Sequence, residues 1–175
     1  MSDPRYPIGT FVPQENYTPA ELNACIERIA TLPQRLAAAA ATLTNAQLDT
    51  PYRDGGWTLR QVIHHVADSH MNAYIRLKWT LTEETPLIKA YNEKDWAQTP
   101  ETKAPPALSL QLLIALHAKW TTLLRQIGPS DWQRSFLHPE TNKHVRLDRQ
   151  VALYAWHGDH HLGHVTSLKE RMGWK

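Results

Sequence analysis

Apolar residues recur at helical spacing in four stretches of the chain. The first opens at Thr18-Pro19-Ala20-Glu21, a capping box with proline at the first helical position. It carries Leu22, Cys25, Ile26 and Ile29 on one side and predicts a helix to about Thr42. Pro33 lacks a backbone donor, so a kink or break is expected just before it. The run Ala37 to Ala41 offers small side chains for close helix contact. Thr58-Leu59-Arg60-Gln61 is a second capping box, predicting a helix to about Leu81 with Leu59, Val62, Val66, Tyr74 and Leu77 inward. A third helix is expected over Leu110 to Ile127, capped by Ser109 and closed by Gly128-Pro129. The fourth is expected from Asp148 as cap to Met172, ended by Gly173. Its apolar stripe is Val151, Tyr154, Ala155, Leu162, Val165, Leu168 and Met172.

The connections read differently. Residues 1–17 hold three prolines and little periodicity, an extended arm. Asn45 to Gly56 is punctuated by Pro51 and Gly55-Gly56. Thr82 to Leu108 carries four prolines and reads as a long crossover, a kind of loop that often lies over a functional site. Ser135 to Leu147 alternates around Pro139-Glu140-Thr141-Asn142, the pattern of a small hairpin. Four helices of about 18–25 residues with one long crossover predict an all-α fold, a four-helix bundle.

Composition narrows the classes of function. A chain of 175 residues fits one domain, 1–175. A net charge of +2 with scattered Lys and Arg implies no strong field for nucleic acid or an anionic membrane. The single Cys25 excludes an intrachain disulfide and a multi-cysteine metal site. No apolar run approaches the roughly 18 residues that span a membrane. The first residues lack the basic-then-apolar pattern of a leader, so the expected location is cytoplasmic.

The candidate chemistry lies in histidine. Four of ten fall within Trp156-His157-Gly158-Asp159-His160-His161-Leu162-Gly163-His164. Residues four apart share a helix face, so His157/His161 and His160/His164 are both potential two-nitrogen clamps. Imidazole suits zinc, nickel, copper and iron. Measured from the centre of the apolar stripe, His161 lies some 50° away, His157 roughly 90°, His164 roughly 110° and His160 about 150°. A bundle builds metal sites from inward-facing side chains, which favours His157 with His161. His160 is then expected at the surface, and His164 either there or behind a ligand. A third ligand is available on the second helix, where His64, His65 and His70 stand. Periodicity does not separate His64 from His65, and His70 falls near the apolar stripe as a core histidine would.

Several motifs settle that choice. Tyr6-Pro7-Ile8-Gly9, Leu48 to Thr58, Arg60-Gln61-Val62, His64-His65, Ala67 to Asn72, Leu81 to Pro86, Trp120-Thr121, His138-Pro139, Trp156-His157 and Arg171 to Trp174 together resemble the YfiT family of metal-dependent hydrolases. These proteins belong to the DinB-like superfamily of four-helix bundles, and the resemblance spans essentially the whole chain. It implies metal ligands at His65, His157 and His161, one divalent ion per chain with zinc expected before nickel, a small-molecule substrate and a homodimer. The seven tryptophans and the arm add apolar surface for such an interface, with Trp79, Trp96, Trp120 and Trp132 as candidates.

Three neutral imidazoles leave coordination positions open, the mark of a catalytic rather than a structural site. Asp68 and Ser69, near His65, are candidates to hydrogen-bond a ligand or water. Tyr154 reads as core. Relatives in the wider superfamily are thiol-dependent transferases and isomerases. A bacillithiol-type S-transferase is therefore the alternative, with Arg53, Arg60, Arg76 and Lys78 available to meet the thiol's carboxylates. A non-catalytic metal-binding stress protein is the third reading.

Overall fold

The computed structural model describes residues 3–175, and its long elements are four helices. These are α1 (Pro19–Ala40), α3 (Leu59–Thr82), α5 (Ala107–Leu124) and α6 (Leu147–Met172). Two four-residue helices, α2 (Asn45–Leu48) and α4 (Glu93–Trp96), lie in the connections. Neighbouring pairs in the bundle are α1 with α5 and α6, and α3 with α5 and α6. Chain-consecutive α1 and α3 therefore sit across a diagonal, and the long crossover carries the chain from α3 to α5. That crossover is not bare loop, since it contains α4 and a turn of 3₁₀ helix over Pro100–Lys103. The hairpin forms as β1 (Ser135–His138) paired antiparallel with β2 (Lys143–Arg146), Ser135 opposite Arg146.

Local chemistry explains most boundaries. Both expected capping boxes form, Thr18 with Glu21 and Thr58 with Gln61, and a third joins Thr44 to Gln47 ahead of α2. The last helix stops at Gly173, whose φ of 66° is left-handed and suits a residue without Cβ. Two expected caps do not operate. α5 begins at Ala107, two residues before Ser109, and α6 begins at Leu147, so that Asp148 lies inside its first turn. Asp148 is buried and pairs with Arg146 at 2.6 Å instead. Nor does Pro33 break α1, which runs through it as one helix.

The core is built in two layers. One gathers Ile26, Ile29, Leu77, Trp120, Leu124 and Val151, and the other Leu32, Leu36, Leu59, Ile63, Leu113 and Val165. Trp120 is fully buried, which removes it from any interface, and Trp132 packs partly buried against the first layer. Trp79 and Trp96 keep 37% and 38% of their surface exposed. α5 is long and apolar enough to cross a membrane by length and composition, with a mean hydropathy of 1.3, which the sequence reading did not anticipate. It packs on α1 and α3 through Leu113, Trp120 and Leu124, while Leu108, Leu112 and Ile114 remain exposed.

Gly158 lets α6 approach α1. A Cβ there would fall on the Leu32 side chain, and the flanking Asp159 pairs with Arg28 at 2.7 Å and Arg35 at 2.8 Å across the same seam. Gly158→Val is expected to overpack this contact and cost about 1–3 kcal/mol in urea unfolding. Alanine carries the same Cβ but no branches and gains helix propensity, so it is expected to lose less than valine. A valine variant of unchanged stability would mean that the seam is loose.

Candidate metal centre

His65 on α3 and His157 and His161 on α6 come together across the α3–α6 seam, with one nitrogen of each within 4.8 Å of the others. His157 Nε2 stands 3.1 Å from His161 Nε2 and 3.4 Å from His65 Nε2. Two ligands on tetrahedral zinc with Zn–N of about 2.0–2.1 Å lie roughly 3.3 Å apart, so these spacings fit a shared ion. The donor set fits as well. Three imidazoles facing one another, with no carboxylate in the group, suit a divalent ion of intermediate softness.

The three nitrogens lie at a cavity of about 680 Å³. Its walls include Trp57, Gln61, Arg53, Lys94, Trp156 and His160. Trp57 packs on the His65 ring at 4.7 Å between centroids. A smaller cavity of about 200 Å³, lined by Ser69, Arg76, Tyr91, His138 and Tyr154, shares His157 with the first.

Behind the cluster the rings are bonded to further rings. His157 Nδ1 lies 3.2 Å from His70 Nε2, and His70 Nδ1 lies 3.0 Å from His117 Nε2. His117 Nδ1 in turn lies 2.6 Å from the Ile29 carbonyl. On the other side, His161 Nδ1 is 3.3 Å from His164 Nδ1, and His164 Nε2 is 3.4 Å from the Arg5 carbonyl. Burial disfavours the charged form of all of these rings. It pushes His65, His117 and His164 down to about 4, and His70, His157 and His161 well below the ordinary value. The cluster is accordingly neutral near pH 7, the state in which imidazole coordinates.

The two histidines that periodicity could not separate are now distinct. His64 turns to α5, its Nδ1 2.7 Å from Ser109 Oγ and its Nε2 3.1 Å from the Ala104 carbonyl, so neither nitrogen is free for an ion. His160 is buried rather than exposed, because the N-terminal arm lies over that side of α6. Tyr6 approaches its ring, Trp156 stacks on it at 4.5 Å, and Pro7 and Ile8 pack on Gly163. His164 is covered in the same way, and Tyr52 stacks on it at 4.0 Å. Asp68 does not line either cavity; partial burial pushes its carboxyl up to about 6. Tyr154 is core, edge-on to His70 at 5.3 Å. Of the candidate cations, Arg53 lines the larger cavity, Arg76 the smaller, and Arg60 is paired with Asp49 at 2.6 Å. The sequence reading missed His117. Its spacing of four, three and seven from Leu113, Trp120 and Leu124 puts it among core positions, and that placement was the available signal.

A four-helix bundle with an open three-histidine cluster between two of its helices is the class that fold and site define. A family model of the DinB superfamily matches residues 28–165, and the chain belongs to that superfamily and, within it, to the YfiT family. YfiT of Bacillus subtilis strain 168, provisionally named a metal-dependent hydrolase, is 48% identical over 170 residues, covering 97% of this chain and 96% of its own. A Bacillus pumilus protein of the same provisional name is 49% identical, covering 99% of each chain. The solved structure of B. subtilis YfiT, described as a four-helix bundle of unusual topology, superposes with a TM-score of 0.96 over 98% of this chain and 99% of that one. A mycothiol-dependent maleylpyruvate isomerase shares the fold at 16% identity, with a TM-score of 0.61 over 78% of this chain and 57% of that one.

Proposed function

We propose that the protein is a hydrolase dependent on one divalent metal ion, zinc in preference to nickel, held by His65, His157 and His161. The observation that carries this reading is the convergence of three neutral imidazoles on an open cavity, with no fourth donor in the group. Bound there, a divalent ion would supply Lewis acidity, lowering the pKa of water and polarising a carbonyl or phosphoryl oxygen. The chain's own residues do the rest. Arg53 and Lys94 offer donors to a small polar substrate, and Trp57 and Trp156 shield its apolar parts from solvent.

Arg53 and Lys94 also favour a second reading. Two cations at the cavity would meet the carboxylates of a low-molecular-weight thiol, making the protein a thiol S-transferase. Zinc-loaded protein assayed against ester, amide and phosphoester panels, with and without added thiol, separates the two. Hydrolysis without thiol supports the first reading. Thiol-dependent conjugation with no hydrolysis reverses the order, and inactivity of a fully loaded site in every assay leaves a metal-binding stress protein.

We further propose a homodimer. The exposed Leu108, Leu112 and Ile114 of α5, with Trp79 and Trp96, support it as apolar surface that the bundle leaves uncovered. Light scattering at micromolar concentration is expected to give twice the 20.1 kDa chain mass. A monomer mass would refute it.

A further inference from the structure

The proline that α1 tolerates and the histidine chain behind the ligands belong together. Pro33 has no N–H, so the carbonyl four residues earlier, that of Ile29, loses its helical partner. His117 Nδ1 reaches that carbonyl at 2.6 Å, the shortest contact in the chain of rings. The chain visits every long helix, from Ile29 on α1 to His117 on α5, His70 on α3 and His157 on α6. It is buried, with His70 0% and His117 1% exposed, and Trp120 stands edge-on to both rings.

We propose that His117 and His70 are positioning residues that lock His157 in its Nδ1–H tautomer and aim the Nε2 lone pair at the metal, with Pro33 creating the carbonyl that anchors them. The direction of the chain follows from hydrogen-bond inventory. A carbonyl only accepts, so His117 Nδ1 must carry the proton. A neutral imidazole has one N–H, so His117 Nε2 accepts, and His70 Nδ1 donates to it. His70 Nε2 then accepts from His157 Nδ1–H, which leaves His157 Nε2 unprotonated. Reversing any link would leave two donors or two acceptors face to face in a buried site, which is costly. The His70 and His117 ring planes lie 8° apart with centroids at 4.9 Å.

The same reasoning applied to His161, through His164 to the Arg5 carbonyl, gives the same tautomer by longer contacts of 3.3 and 3.4 Å. Two lone pairs would then face each other across 3.1 Å between His157 and His161, an arrangement that a cation relieves. Without metal, the weaker His161 chain is the one that yields, and His157 keeps its tautomer.

The inference rests on the metal-centre reading for its consequence but not for its first measurement. In metal-free protein labelled with ¹⁵N-histidine at pH 7.5, two-bond ¹H–¹⁵N correlation should show His117, His70 and His157 all protonated at Nδ1. His117→Phe keeps the ring shape and removes the donor. It should leave His157 in a mixture of tautomers and weaken zinc binding, measured by chelator competition, roughly tenfold to a hundredfold. His117→Gln retains one donor and one acceptor and should restore affinity to within a few-fold. Pro33→Ala keeps the helix and returns a competing N–H to Ile29. It should lower zinc affinity a few-fold at equal or higher melting temperature, a split that a merely structural role would not give. It also carries the test if His117→Phe fails to fold. His157 protonated at Nε2 in the metal-free wild type would overturn the proposal, as would wild-type zinc affinity in both His117→Phe and Pro33→Ala. Wild-type protein that binds no zinc would instead sink the metal-centre reading, with the tautomers still measured.

Discussion

Replacing His157 by alanine is expected to empty the proposed metal site and abolish the proposed metal-dependent activity, whereas replacing His160 leaves both largely in place. His157 is the middle member of the cluster, within 3.4 Å of both other proposed ligands. Without it, two imidazoles on different helices remain, and two ligands hold an ion poorly. Loss of a group that only orients a ligand already costs about 10- to 100-fold in metal affinity, so loss of the ligand itself should exceed that range. His65→Ala and His161→Ala should behave like His157→Ala. His160 stacks on Trp156 at the cavity wall and lies outside the cluster, so its alanine variant should keep stoichiometric metal by elemental analysis. An empty His160→Ala beside a full His157→Ala would mean that the other clamp on α6 binds the ion.

Metal-free protein is expected to lose its native fold between pH 6.5 and about 4. Imidazoles in the unfolded chain titrate near 6.5, while burial holds His65, His117 and His164 down to about 4 in the folded chain. Between those values the unfolded state takes up protons that the native state refuses. Stability is therefore full above 6.5 and falls as pH drops toward 4. For His117, 1% exposed, the loss is on the order of 3 kcal/mol. Three such groups together approach the roughly 5–15 kcal/mol of an ordinary domain. Zinc, which binds only neutral imidazole, should postpone the transition until protons displace it. A melting temperature of metal-free protein that is the same at pH 4.5 and pH 7 would show that the histidines are more hydrated than the structure has them.

The long helices were legible because their starts are written locally. Thr18 with Glu21 and Thr58 with Gln61 satisfy the first backbone donors with side chains three residues apart, and Gly173 ends α6 by its left-handed φ. α5 starts three residues earlier than expected, at Ala107 rather than Leu110, because its start has no side-chain cap, and Ser109 is occupied with His64. α2 and α4, at four residues, are too short for a periodicity to register. The pair on α6 followed from angular position on the helix. The choice of His65 over His64 did not, because it depends on α5 and Ala104 engaging His64 from elsewhere in the chain. His160 was expected in solvent because its helix face is polar, and no pattern within α6 announces that the arm returns to cover it. Pro33 is the instructive case. The missing donor predicted a kink or break that does not interrupt α1, and the partner that takes up the freed Ile29 carbonyl stands 88 residues away, beyond any local pattern.

X-ray absorption at the metal edge of the stoichiometrically loaded protein reads the proposed coordination of the ion. The expected shell is three histidine nitrogens at about 2.0–2.1 Å with at least one exchangeable oxygen donor. A shell filled entirely by protein ligands, or one retaining three imidazoles in His65→Ala, would contradict it.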